Sequence, residues 1–175
     1  VSFEVIGGDF FTPMRDRLSS SPTELRKIVV STLSTGCIVS FLQTLAVVLF
    51  STLVLKANLY SFHLILPVFA LAVIFNQFLG TIVLILSKSV KTSNIILCIY
   101  GAVVPMTIGL YFPLPENTFS RLLKNYLTPL ALANTAITGV LEGDNFKVLV
   151  GVGVLLILSC GLFIALRPLI RRLSV

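Results

Sequence analysis

The sequence predicts an all-α fold: a polytopic integral membrane protein with four transmembrane helices and, between the third and fourth, a shorter helical region. Two observations decide the class. Hydrophobic residues make up 56% of the 175-residue chain and charged residues only 11%, with a mean hydropathy of +1.03, whereas a soluble domain carries roughly 25% charged residues. The apolar residues also fall in runs long enough to cross a hydrocarbon core of about 30 Å. Too few polar side chains remain to cover a water-facing surface, so lipid is the expected solvent.

The elements follow from local signals. Residues 1–27 are mixed and polar, and within them Ser21-Pro22-Thr23-Glu24 reads as a helix start. Ser21 can accept free N–H groups, Pro22 suits the first helical position, and Glu24 can reach back to close a capping box. The first span is expected at 28–55 and ends on Lys56-Ala57-Asn58. The second, 62–86, carries Pro67 near its start and is followed by a polar turn over 87–94. The third, 95–111, contains Pro105. Proline is tolerated in a membrane helix where neighbours satisfy the carbonyl it frees. Phe112-Pro113-Leu114-Pro115 then breaks the pattern. Region 112–141 is too polar at Arg121, Lys124 and Asn125 to span and too apolar for a free loop. It reads as one or two short interfacial or re-entrant helices. Glu142-Gly143-Asp144-Asn145 is a turn, the last span is expected at 146–166, and a basic tail follows. The chain thus divides into a polar segment, 1–27, and a transmembrane domain, 28–175. Residues 1–27 lack the apolar core of a signal peptide. A chain that opens on Val1 is expected to be processed or a piece of a longer polypeptide.

Four spans put both ends on one side. That side holds Arg15, Arg17, Arg26, Lys27, Lys88, Lys91, Arg167, Arg171 and Arg172, and the other holds Lys56, Arg121, Lys124 and Lys147. The excess makes the termini cytoplasmic and turns region 112–141 outward. The net charge of +6 is therefore a topology signal, and a nucleic-acid partner is not expected.

Catalytic chemistry is not visible. Glu4, Asp9, Asp16, Glu24, Glu116, Glu142 and Asp144 all fall in loops or at helix ends, so no carboxylate relay lies at membrane depth. His63 is the only histidine and cannot build a zinc site alone. Cys37, Cys98 and Cys160 sit in apolar runs without metal or redox spacing. No phosphate-binding loop occurs, and Gly151-Val152-Gly153 reads as close helix packing. No catalytic, metal or cofactor-binding residue is expected. Gln43, Asn76, Gln77 and Thr81 are the polar side chains of interest within the spans. In lipid each must either bond to another helix or line a substrate path.

The order of parts resembles the C-terminal four-span portion of the permease subunit of type-2 ABC transporters, the exporter class. The residues that carry the resemblance are Gly8, Arg15-Asp16-Arg17-Leu18, Ser21-Pro22, Arg26-Lys27 and Gln43, then Phe112-Pro113-Leu114-Pro115, Tyr126-Leu127-Thr128-Pro129 and the basic Arg171-Arg172. It covers nearly all of the chain, while the family's entry helix and first two spans have no counterpart. The form Glu-x-x-x-Gly-Thr, often found in the family's coupling segment, is replaced by Gly7-Gly8-Asp9-Phe10-Phe11-Thr12. The resemblance implies an extracellular re-entrant helical hairpin over 112–141. It also implies a cytoplasmic coupling segment in which Met14, Arg15, Arg17, Leu18, Ser21 and Pro22 dock into an ATPase. ATP and Mg would be bound by that partner and not by this chain. A second permease copy or homologous half would complete the pathway in the lipid bilayer, expected to be a bacterial cytoplasmic membrane. A membrane scaffold or assembly protein without a transport cycle is the alternative from another class.

Overall fold

The computed structural model describes residues 5–8, 25–54, 62–111, 115, 117, 120 and 123–173. They form five helices: α1 (Leu25–Leu53), α2 (Phe62–Ser87), α3 (Val90–Thr107), α4 (Pro129–Glu142) and α5 (Asn145–Leu173), with a π-helical turn at Leu123–Leu127. Residues 5–8 add one helical turn, and no strand occurs among the described residues. Four helices are long and apolar enough to cross a membrane: α1, α2, α3 and α5. The chain is an integral membrane protein by that measure. The 18 residues of α3 rise about 27 Å, just enough, whereas the 14 residues of α4 rise only about 21 Å.

Two of the boundaries that differ from the sequence reading do so for a local reason. The polar stretch 87–94 is mostly helix. Its turn shrinks to Lys88 and Ser89, with Lys88 left-handed at φ 52°. Ser89 is the N-cap of α3, its hydroxyl accepting from the Thr92 N–H at 3.4 Å. Ser93 is buried and donates to the Ser89 carbonyl at 3.0 Å, and its hydroxyl also pairs with that of Ser87 at 2.7 Å. Polar residues that look like a loop thus serve as a helix cap. At the other end of the chain, α5 continues through Pro168 to Leu173, beyond the expected end at 166. A proline inside a helix removes one hydrogen bond without ending it where packing holds both sides, and Leu166 and Ile170, either side of Pro168, are both buried.

α2 is the central helix, packing against α1, α3, α4 and α5, and α4 packs along α5. Two apolar clusters hold the bundle. At one end Ile6, Val29, Leu33, Leu84, Ile85, Leu166 and Ile170 meet where α1 begins and α2 and α5 end. Toward the other end Val68, Ala133 and Ala136 meet with Ala72, Ile137 and Val152. There α4 and α5 form a tight hairpin. Gly143 ends α4 in the left-handed conformation (φ 72°), and Asp144 accepts from the N–H groups of Phe146 and Lys147 to open α5. A methyl group at Gly151 would sit 2.7 Å from the Leu132 carbonyl, so α4 and α5 can approach this closely only with glycine there. Gly153, by contrast, touches nothing within 4 Å.

Two exposed hydroxyls of α1 are satisfied within the helix. Ser34 donates to the Val30 carbonyl and Thr35 to that of Ser31, each one turn back. Such back-bonding lets a polar side chain face lipid at little cost. Large apolar residues, including Val47, Phe50, Ile157 and Ile164, stay exposed on the bundle surface, as expected where lipid is the solvent.

Candidate functional site

The four polar positions singled out within the spans divide in two. Gln77 on α2 reaches across to α1, its amide donating to the Ser40 hydroxyl at 2.7 Å and lying 3.5 Å from the Gly36 carbonyl. Thr81, one turn on, is fully buried and donates to the Gln77 carbonyl at 2.9 Å. Gln77 therefore belongs to the α1–α2 contact, whereas the bond made by Thr81 stays within α2. Asn76 and Gln43 are exposed. Asn76 donates only to its own helix, to the Ala72 carbonyl at 2.9 Å.

Asn76 borders a cavity of about 130 Å³ whose walls come from the middle of α2 (Ala72, Asn76), the last two turns of α3 (Tyr100, Gly101, Val104, Pro105) and the start of α4 (Pro129, Leu130). The chain reverses here. Thr128 is the N-cap of α4, its hydroxyl accepting from the Ala131 N–H at 3.1 Å, and Pro129 takes the first helical position, where its missing N–H costs nothing. The π turn at Leu123–Leu127 packs back along α4. Thr135, buried on α4, ties the two together by donating to the Asn125 carbonyl at 2.9 Å. Region 112–141 thus contains two short helical elements joined by a capped turn.

A larger apolar groove of about 480 Å³ runs between α1, α2 and α5. Val30, Leu33 and Cys37 line it from α1, Ile74 and Phe78 from α2, and Phe163, Leu166 and Arg167 from α5. Arg167 lies over the Phe163 ring with its guanidinium carbon 5.0 Å from the ring centre, and Phe163 packs against Phe78 at 5.8 Å. Arg167 reads in the sequence as part of a basic tail. The Phe163-x-x-x-Arg167 spacing, which stacks the two on one helix face, is the signal that reveals its role.

The residues expected to dock into an ATPase, Met14, Arg15, Arg17, Leu18, Ser21 and Pro22, lie outside the described residues. His63 is exposed at the start of α2. Among the described residues no three His, Cys, Asp or Glu side chains gather to hold a metal ion. Lys147 pairs with Glu142 at 2.5 Å and lies 3.7 Å from Asp144, closing the α4–α5 turn.

No protein-family model matches the chain, and no curated protein or solved structure shows significant similarity to it.

Proposed function

We propose that the chain is a transmembrane permease subunit of an ATP-driven exporter of the type-2 ABC class. It would form part of a substrate pathway and be driven by a separate ATPase. The observation that carries this reading is the position of the Thr128–Pro129 reversal. Pro129 and Leu130 share a cavity with Ala72 and Asn76, which lie near the middle of α2 rather than at its end. A segment that turns back at that depth, with α4 too short to span, reads as a re-entrant hairpin entered from the outer face. Irregular backbone at such depth is tolerated where protein or a cavity surrounds it. A membrane scaffold has no need of one.

Orientation follows from the basic residues. The end carrying Lys27, Lys88, Lys91 and Arg167 would face the cytoplasm of a bacterial cell, and segment 1–27 would meet the ATPase there. This chain would hydrolyse nothing, since ATP and Mg belong to the partner. Asn76, exposed beside the hairpin tip, is the side chain best placed to meet a passing substrate, with Gln43 on the open face of α1 available to a second permease copy or homologous half.

Purification of the chain from its native membranes in mild detergent, with identification of its companions by mass spectrometry, tests the reading. An ABC-type ATPase at about equal stoichiometry is expected. An intact, folded protein without any ATPase would move the assignment to a non-transporting scaffold. Within an isolated complex, replacing Arg15 and Leu18 together by alanine is expected to abolish stimulation of the ATPase while membrane insertion stays normal, and undiminished transport would remove the coupling role.

A further inference from the structure

The groove between α1, α2 and α5 combines an apolar wall with one cation at its end. Its volume of about 480 Å³ falls within the range of roughly 300–1,000 Å³ typical of small-molecule sites. Arg167 is exposed at the end where α1 begins and α5 ends, and the Phe163 ring fixes its direction. The described carboxylates, Glu142 and Asp144, lie at the opposite end of α5, where they pair with Lys147. Among the described residues Arg167 thus has an aromatic contact but no anionic partner. A guanidinium with no described carboxylate beside it, at the polar end of an apolar groove between membrane helices, matches an amphiphile with an anionic head. Basic pockets between transmembrane helices select such lipids, and arginine suits a phosphate because its fork can donate twice.

We propose that this groove holds one anionic phospholipid of the leaflet at the basic end of the bundle. One acyl chain would lie along Leu33, Cys37, Ile74 and Phe78, with the phosphate at Arg167. This lipid is a resident ligand of the bundle, and the inference stands apart from the exporter reading, since it rests on the groove alone.

The absence of tryptophan from the chain allows a direct test. Phe163→Trp sets a fluorophore in the groove and keeps an aromatic face under Arg167. Ile164→Trp sets one at almost the same depth on the exposed surface, outside the groove. The full chain carrying either substitution is reconstituted into bilayers of brominated phosphatidylglycerol or brominated phosphatidylcholine mixed with unbrominated lipid, and quenching gives the relative affinity of each lipid at each position. At position 163 the anionic lipid is expected to be preferred by about fivefold, the factor that one basic residue near a membrane surface supplies. That preference is expected to vanish with Arg167→Gln, to survive Arg167→Lys, and to be absent at position 164. Equal preferences at 163 and 164 would overturn the proposal in favour of ordinary boundary lipid. Quenching at 164 with none at 163 by either lipid would also overturn it, because protein would then cover the groove.

Discussion

The two ends of the bundle are built on different physics. At the basic end, large side chains fill the space between helices, with Val29 and Leu33 of α1 meeting Leu84 and Ile85 of α2 and Leu166 and Ile170 of α5. At the other end, α4 and α5 meet through Ala133, Ala136, Gly139 and Gly151, and their backbones nearly touch. In lipid, apolar side chains gain little from leaving solvent, because the solvent is itself apolar, so contact comes either from filling space with branched side chains or from removing side chains altogether. The second route leaves no tolerance for added atoms. The first tolerates small losses, and it leaves room for a groove.

The largest expected effect breaks the small-residue end. Gly151→Leu drives atoms into the Leu132 carbonyl and the Ala136 methyl and is expected to cost about 3 kcal/mol, the upper part of the usual overpacking range. Gly153→Leu, which meets nothing within 4 Å, is expected to be neutral. Denaturation of the purified variants in micelles, followed by circular dichroism, checks the pair, and equal effects would remove the close α4–α5 approach at Gly151 as the cause. Next in size is Leu84→Ala, which hollows the basic end at a fully buried position. About 2 kcal/mol is expected in the same assay, the low end of the range for such truncations, because lipid solvates the lost surface in the unfolded reference. The smallest effect sharpens the comparison between side-chain packing and polar contacts. Gln77→Leu removes the amide that bonds Ser40 across the α1–α2 contact and is expected to cost about 0.6 kcal/mol, the average for hydrogen bonds between membrane helices. A cost as large as that of Leu84→Ala would make the polar clasp, not the apolar cluster, the main tie of α1.

Gln77 and Gln43 show where sequence reasoning stops. Both are amides within apolar runs, and both qualify equally from sequence as helix tethers or path-lining groups. Only the register of α1 against α2 sets Ser40 opposite Gln77 and leaves Gln43 on an open face. The same holds for the glycines. Close packing is the natural reading of Gly151-Val152-Gly153, but which glycine packs depends on the rotation of α5 toward α4, which the triplet itself does not contain. Residues 87–94 fail differently. Serine and lysine favour loops and helix caps alike, and burial of Ser93 against Ser87 decided for the cap.

By itself the sequence determined the solvent, the number of helices able to cross it and the short helical region before the last one. Those properties are local: a membrane helix satisfies its own backbone, so length and hydropathy suffice to recognise it. Tertiary structure decided the central place of α2, the glycine seam between α4 and α5, the depth of the Thr128–Pro129 turn beside Asn76 and the stacking of Arg167 at the mouth of an apolar groove. Each of these depends on residues distant in the chain meeting face to face, and in an apolar solvent that choice is made by shape and by a few polar pairings rather than by hydrophobicity.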